Sequence, residues 1–232
     1  MYQDSKKQWN VVVGCHFNCI YCEKSFQAQM KRQKHNCIKC YNYEPHFHEI
    51  RLNQSLPKTY GDEFIWCCSS SDIYFAKKEW MEKILKRIKE MPKRTFFFQT
   101  KEPNVFRKYK FPENVILGIT LESNRFYDEY SDAPDPYVRF RSFKHIRHPR
   151  KFITIEPVLD FDFSIFLGWI KQIHPERIYI GYDTKKTKIW DLGTEKYENL
   201  CEPSLTKVKR LIRKLERFTK VKTKYMKGRE LE

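Results

Sequence analysis

Apolar residues in this chain fall into two alternating patterns: short unbroken runs, and longer runs spaced by three and four. Residues 9–13, 64–68, 95–100, 115–121, 152–155 and 177–182 are short and rich in β-branched or aromatic side chains, and read as strands. Helical spacing lies between them. Residues 23–34 read as a helix, and residues 77–91 place Trp80, Ile84, Leu85, Ile88 and Met91 on one face before Pro92 stops the run. A short helix follows Pro103, and 136–148 and 164–173 are further helices. Ser204 is placed to cap a last helix, with Leu205, Val208, Leu211, Ile212, Leu215 and Phe218 on one side and lysine and arginine on the other.

Strands separated by helices at this spacing imply right-handed βαβ units and a parallel sheet. Six units make an α/β fold of the partial (β/α)6 TIM-type barrel kind. The simplest organisation is one barrel domain over 1–203, with an inserted segment at about 35–60 and a basic C-terminal helical extension over 204–232. No apolar run approaches the length of a membrane span. The polar start Met-Tyr-Gln-Asp-Ser-Lys-Lys is not a secretion signal, so the reading expects a cytoplasmic protein without a membrane partner.

Charge changes the picture next. The 232 residues hold 45 Lys and Arg against 29 Asp and Glu, a net charge of +16. From Ser204 to Glu232 the balance is 11 basic against 3 acidic residues. Such an excess favours a polyanionic partner, nucleic acid above all. A solvated basic face is the plain alternative. Tyr127, Tyr130, Phe140, Phe143 and Tyr182, interleaved with Arg125, Arg139, Arg141 and Lys144, would suit a stacked base and its phosphates, or equally a barrel core and a solvated helix face.

The candidate chemistry is carried by eight cysteines. Cys15, Cys19 and Cys22 form a Cys-x3-Cys-x2-Cys loop directly after the first strand, in Gly14-Cys-His-Phe-Asn-Cys-Ile-Tyr-Cys22. Three thiolates so spaced can hold three irons of a [4Fe–4S] cluster and leave the fourth iron open. A zinc knuckle usually pairs Cys-x2-Cys with a second pair, and a reducing compartment argues against a disulfide. Cys37 and Cys40 form a separate Cys-x2-Cys with His35, His46 and His48 nearby, a candidate zinc or second iron–sulfur site. Cys67 and Cys68 lie in a core strand, where cysteine serves as a small hydrophobe.

Several further stretches follow the cysteine loop in order. They are Tyr43-Glu-Pro-His-Phe-His-Glu-Ile-Arg-Leu52, Ser69 with Asp72, Thr100-Lys-Glu-Pro103, Leu117-Gly-Ile-Thr-Leu-Glu122 and Ile155-Glu-Pro157. With Trp9, Asn10, Gly14 and Cys15, this order resembles the radical S-adenosylmethionine (radical SAM) superfamily. Within it, the chain resembles a small, often phage-encoded branch near spore photoproduct lyase, over most of residues 9–182. Their polar residues fall where strands should end, the rim at which parallel barrels carry function.

The resemblance implies a [4Fe–4S] cluster on Cys15, Cys19 and Cys22 with S-adenosylmethionine on its open iron. Reductive cleavage would then yield a 5′-deoxyadenosyl radical that abstracts hydrogen from a substrate. It implies that Tyr21 packs on the cluster or adenine. Ser70, Ser71 and Asp72 would meet the methionine amino group, and Lys101 its carboxylate. Thr120, Glu122 and Ser123 would meet the ribose, and Glu156 adenine or substrate. Cys201 is a candidate hydrogen donor, or a surface thiol. A one-electron reductant such as flavodoxin or ferredoxin is implied, acting on a monomer in the cytoplasm (the host's, for a phage protein). The expected substrate is a base in DNA or RNA, modified or repaired. A protein substrate of the glycyl-radical-activase kind, a small metabolite, and a non-enzymatic metal-stabilised nucleic-acid-binding protein are the alternatives.

Overall fold

The computed structural model describes residues 2–191, 195–224 and 226. Its centre is one sheet of seven parallel strands, curled into a half-barrel. In chain order the strands are β1 (Ser5–Trp9), β2 (Val12–Val13), β3 (His46–Phe47), β4 (Phe64–Cys67), β5 (Phe96–Thr100), β6 (Val115–Thr120), β7 (Lys151–Ile155), β8 (Arg177–Gly181), β9 (Lys188–Asp191), β10 (Lys196–Asn199) and β11 (Lys220–Lys224). The sheet order is β1-β4-β5-β6-β7-β8-β11, while β2 with β3 and β9 with β10 make two small antiparallel pairs.

Alternation along each strand explains the two-sided core. Ile65, Cys67, Phe96, Phe98, Val115, Leu117, Ile119, Ile153, Ile155, Ile178 and Ile180 face the helices in one large apolar cluster. The intervening Phe64, Trp66, Phe97, Ile116, Phe152 and Tyr179 face inward and pack around Tyr2 in a second cluster. A parallel sheet covered on both faces needs apolar residues at both parities, which is why its strands read as unbroken runs. Gly118 is the inward position of β6 that must stay small, since a Cβ there would lie 2.4 Å from the Phe97 ring.

The helical segments in chain order are α1 (Ile20–Cys22), α2 (Ala28–Met30), α3 (Ile38–Asn42), α4 (Lys78–Lys89), α5 (Pro136–Lys144), α6 (Phe163–Ile173) and α7 (Leu205–Leu215). Helix α4 buries Met81, Ile84, Leu85 and Ile88 at the spacing that places them on one face. Asp135 caps α5 by accepting from the Tyr137 amide at 2.6 Å, and Ser204 caps α7 by accepting from the Lys207 amide at 3.3 Å.

Three elements differ from the sequence reading. The first strand lies earlier, at Ser5–Trp9, and Val12–Val13 turns out of the sheet to pair with His46–Phe47. The inserted segment read at about 35–60, to which the sequence reading gave no element, contains α3, β3 and a 3-10 turn at Glu49–Asn53. The sheet has seven strands where six units were expected. The seventh, β11, pairs in parallel with β8, and α7 before it buries Val208, Leu211 and Leu215. The described part of 204–232 therefore completes the sheet and its covering layer; residues 225 and 227–232 lie outside the described residues. Among the described residues no helix is long and apolar enough to cross a membrane.

Candidate active site

Inward positions of β5, β6 and β7 change character along the strand, from apolar near the start to polar at the C-terminal end. Gln99 follows Phe97, Thr120 follows Ile116 and Gly118, and Thr154 and Glu156 follow Phe152. These residues line a cavity of about 530 Å³ at the C-terminal mouth of the half-barrel. Cys15, Cys19, Cys22 and Tyr21 form one wall, and Ser71, Asp72, Thr100, Lys101, Asp183, Lys185 and Lys224 contribute to the rest.

The cysteine loop is set by its two neighbours. Gly14 takes φ +97, and a Cβ there would lie 2.2 Å from the Glu44 carbonyl carbon, so glycine alone fits. The Gly14 amide donates to the Ser70 carbonyl at 2.9 Å, Ser71 Oγ donates to the Gly14 carbonyl at 2.6 Å, and the Cys15 amide donates to the Tyr43 carbonyl at 3.2 Å. Residues 43–44 and 70–71 thus clamp the start of the loop. Cys22 then sits on α1, which runs into a π-helical stretch, Glu23–Gln27, before α2. The helix therefore starts three residues earlier than expected and carries Tyr21 and Cys22, and a π segment is a common mark of a functional site. Burial pushes the Cys15 thiol well up, with the nearby Asp72 carboxylate adding to it, and burial also raises Cys22.

Behind the cysteines lies a buried ionic cluster. Glu122 accepts from Arg139 Nη1 at 2.8 Å and from Tyr21 Oη at 2.6 Å, and pairs with Lys101 Nζ at 3.2 Å. Burial would raise Glu122, but Arg139 and Lys101 outweigh it and hold its carboxyl at about 2. Burial would likewise lower Lys101, but Cys19 and Glu122 outweigh it and hold the ammonium above the usual lysine range. Asp72 accepts from Thr100 Oγ1 at 2.6 Å, from the Lys101 amide at 2.7 Å and from the Tyr74 amide at 2.9 Å. Lys224, from β11, ion-pairs with Glu156 across the cavity and lies over the Tyr2 ring.

Of the residues singled out in the sequence, Cys15, Cys19, Cys22, Tyr21, Ser71, Asp72, Lys101, Thr120 and Glu156 meet at this one cavity. Others do not. Ser70 is turned away: its Oγ accepts from Asn10 Nδ2 at 3.1 Å and its amide donates to Asn10 Oδ1 at 3.2 Å. Glu122 and Ser123 line a small adjoining pocket, and Ser123 Oγ donates to the Asp160 carbonyl at 2.5 Å. Cys201 is exposed, outside the cavity, with its Sγ 3.6 Å from Tyr127 Oη. Cys67 and Cys68 are buried thiols, Cys68 pushed up to about 12 by desolvation. Most of the expected aromatic–basic set belongs to the core: Phe140, Phe143 and Arg139 are buried, Arg125 is engaged by Asp160 and Asp162, and of the set only Tyr182, itself buried, borders the cavity. Gln99, Thr154, Asp183 and Lys224 line the cavity and were missed; the period-2 alternation of β5 and β7 was the signal for the first two.

Known structures share this fold. Spore photoproduct lyase (a mutant with a dinucleoside spore photoproduct) matches with TM-score 0.60 at 12% identity, over 97% of this chain and 79% of that one. A second mutant of that enzyme, with bound AdoMet and the dinucleoside, matches at 0.56 and 12%, over 92% and 75%. A radical SAM methyltransferase from Sphaerobacter thermophilus matches at 0.50 and 12%, over 100% and 69%. At such identity the likeness is one of fold: the chain has the half-barrel of radical SAM enzymes. By sequence, residues 3–171 match the family model described as "Protein of unknown function (DUF5131)", and the chain belongs to that family. No curated protein matches the sequence.

Proposed function

We propose that this protein is a radical SAM enzyme whose substrate is a base in nucleic acid. The observation that carries the reading is the meeting of Cys15, Cys19 and Cys22 with Asp72, Lys101, Thr120 and Glu156 around one cavity at the strand C-termini. The donor set fits a [4Fe–4S] cluster: three thiols on one wall, an ammonium beside them to offset thiolate charge, and space in front for a ligand. When bound, the cluster supplies the electron that cleaves S-adenosylmethionine and so generates a 5′-deoxyadenosyl radical.

The chain's own residues do the positioning. Asp72 has used three of about four lone-pair sites, which leaves it one for an incoming ammonium. Lys101 gives one of its three donors to Glu122 and keeps the rest for a carboxylate. Thr120 Oγ1 accepts from Gln99 Nε2 at 2.7 Å, so its own proton is available to a ligand hydroxyl. Glu122, anchored by Arg139, holds both Lys101 and Tyr21 in place. The inward aromatic layer beneath, with Tyr2 at its centre, shuts water out from below.

Nucleic acid is favoured by the +16 charge, by Lys185 and Lys224 at the cavity, and by the hairpin that follows Asp183. That hairpin exposes Trp190 and Tyr197, paired edge to face at 5.0 Å, as flat surfaces on which a base can stack. The dinucleoside bound by spore photoproduct lyase is consistent with this class of substrate. The eight free thiols suit a reducing cytoplasm, where flavodoxin or ferredoxin supplies the electron.

Anaerobic reconstitution with iron and sulfide tests the reading. The reduced protein should convert S-adenosylmethionine to 5′-deoxyadenosine, and the C15A/C19A/C22A variant should not. Absence of cleavage by the intact, iron-loaded chain would sink the enzyme assignment. The base assignment is checked by binding to DNA and RNA at rising salt, where affinity should fall steeply.

A further inference from the structure

The segment between the cysteine loop and β4 holds a second cluster of ligating atoms. Cys37 and Cys40 flank the first turn of α3, and Tyr43, at φ +58, reverses the chain after it. The chain then returns through β3, bringing His46 and His48 back over the two thiols. Cys40 Sγ lies 3.4 Å from His46 Nε2 and 3.1 Å from His48 Nε2, and Cys37 Sγ lies 3.4 Å from His46 Nε2. The two imidazole Nε2 atoms are 2.8 Å apart, and all four ligand atoms lie within 4.8 Å of one another. Cys40 and His46 are buried, and Cys37 and His48 partly so.

We propose that Cys37, Cys40, His46 and His48 form a tetrahedral zinc site that fastens the cysteine loop to its support. Zn–S bonds near 2.3 Å and Zn–N bonds near 2.05 Å place tetrahedral ligand atoms about 3.3–3.8 Å apart. Four of the six separations, 2.8–3.4 Å, lie at or up to about half an ångström below that range, and every pair is within 4.8 Å, so a small rearrangement of the rings and thiols admits the ion. One ligand is already oriented. His46 Nδ1 lies 2.7 Å from the Glu44 carbonyl oxygen, so it carries the proton and donates, and Nε2 is left as the bare lone pair a metal needs. Two thiolates and two imidazoles are the donor set zinc takes in closed structural sites, where no position remains for a substrate. His35, the other histidine close in sequence, is not part of the group.

The site's place in the fold gives the ion its purpose. Strand β3, which carries His46, pairs with β2, and β2 leads directly into Gly14 and Cys15. Tyr43 and Glu44, between the cysteine pair and the histidine pair, are the residues that hold the Cys15 amide and enclose Gly14. Zinc therefore ties together the segment against which the cysteine loop is built. Zinc at these four residues does not depend on what the cysteine triplet carries.

Metal analysis of the 232-residue chain, produced in zinc-supplemented medium and passed through size exclusion, tests it. The wild type and the C15A/C19A/C22A variant should each keep about one zinc per chain, while Cys40→Ser and His46→Ala should each lose at least about 10-fold in zinc affinity. X-ray absorption at the zinc edge of the triplet variant should report two sulfur and two nitrogen ligands, a measurement that does not depend on whether Cys40→Ser folds. Zinc lost from the triplet variant but kept by Cys40→Ser, a sulfur-only shell, or iron in place of zinc at these four residues would each overturn the proposal.

Discussion

Glu122 is held by three donors at once, and its charge has a consequence that acid can measure. Its carboxyl sits at about 2 against an ordinary 4.5, so it stabilises the fold above pH 4.5 and stops doing so as pH falls toward 2. The size follows from the shift, on the order of 3 kcal/mol. Glu122→Gln should therefore be less stable than the wild type at pH 7, and the gap between the two urea midpoints should narrow by pH 3. A constant gap would mean that the side chain's shape, and not its charge, matters. Spacing alone made Cys15, Cys19 and Cys22 legible, because three cysteines within eight residues are chemically distinctive. It did not make Glu122 legible as an anchor for Lys101 and Tyr21, because Arg139, its strongest partner, comes from α5, 17 residues further on. Nor did it complete the Cys37–Cys40 pair. His46 and His48 were visible, but only the reversal at Tyr43 brings them to the thiols.

At the scale of elements, the turn from β2 into the cysteine loop is the most constrained. Gly14→Ala meets both a left-handed backbone and the Glu44 carbonyl, and should cost roughly 2–4 kcal/mol in chemical unfolding. Gly61→Ala is its control, since φ +55 has open space around it and should cost only about 1–2 kcal/mol. Equal losses would show that the close approach to Glu44 is relaxed. Most strands were legible because buried parallel strands are apolar at both parities. Strand β11 was not, since Lys-Val-Lys-Thr-Lys reads as a solvated tail. Its inward lysines are matched by partners distant in sequence: Lys222 by Asp4 at 2.7 Å and Lys224 by Glu156.

The whole molecule is an open sheet whose two edges are joined by charge. Asp4, just before β1, accepts from Arg177 at 3.0 Å, from Tyr179 Oη at 2.6 Å and from Lys222 at 2.7 Å, linking one edge strand to the other. The Arg177 side chain is 1% exposed and also pairs with Asp62. Arg177→Met would take the buried guanidinium from both carboxylates, leaving Asp4 to Tyr179 and Lys222 and Asp62 to Lys220 and Lys222, and should cost about 1.5–3 kcal/mol, read from equilibrium urea unfolding. A loss under about 1 kcal/mol would show that the edges are not held by this cluster. Removing residues 204–232 would strip α7 from the core and Lys224 from the cavity, so it cannot serve as a mild deletion of a basic tail. By itself the sequence determined the parallel α/β plan, the strand ends that carry polar groups, and the cysteine triplet, all of which are written in local periodicity and spacing. Only the tertiary structure decided the seventh strand, the Glu122 cluster and the union of Cys37, Cys40, His46 and His48. Those depend on charges and ligands that meet across long stretches of chain or around a reversal, where no local pattern records the partner.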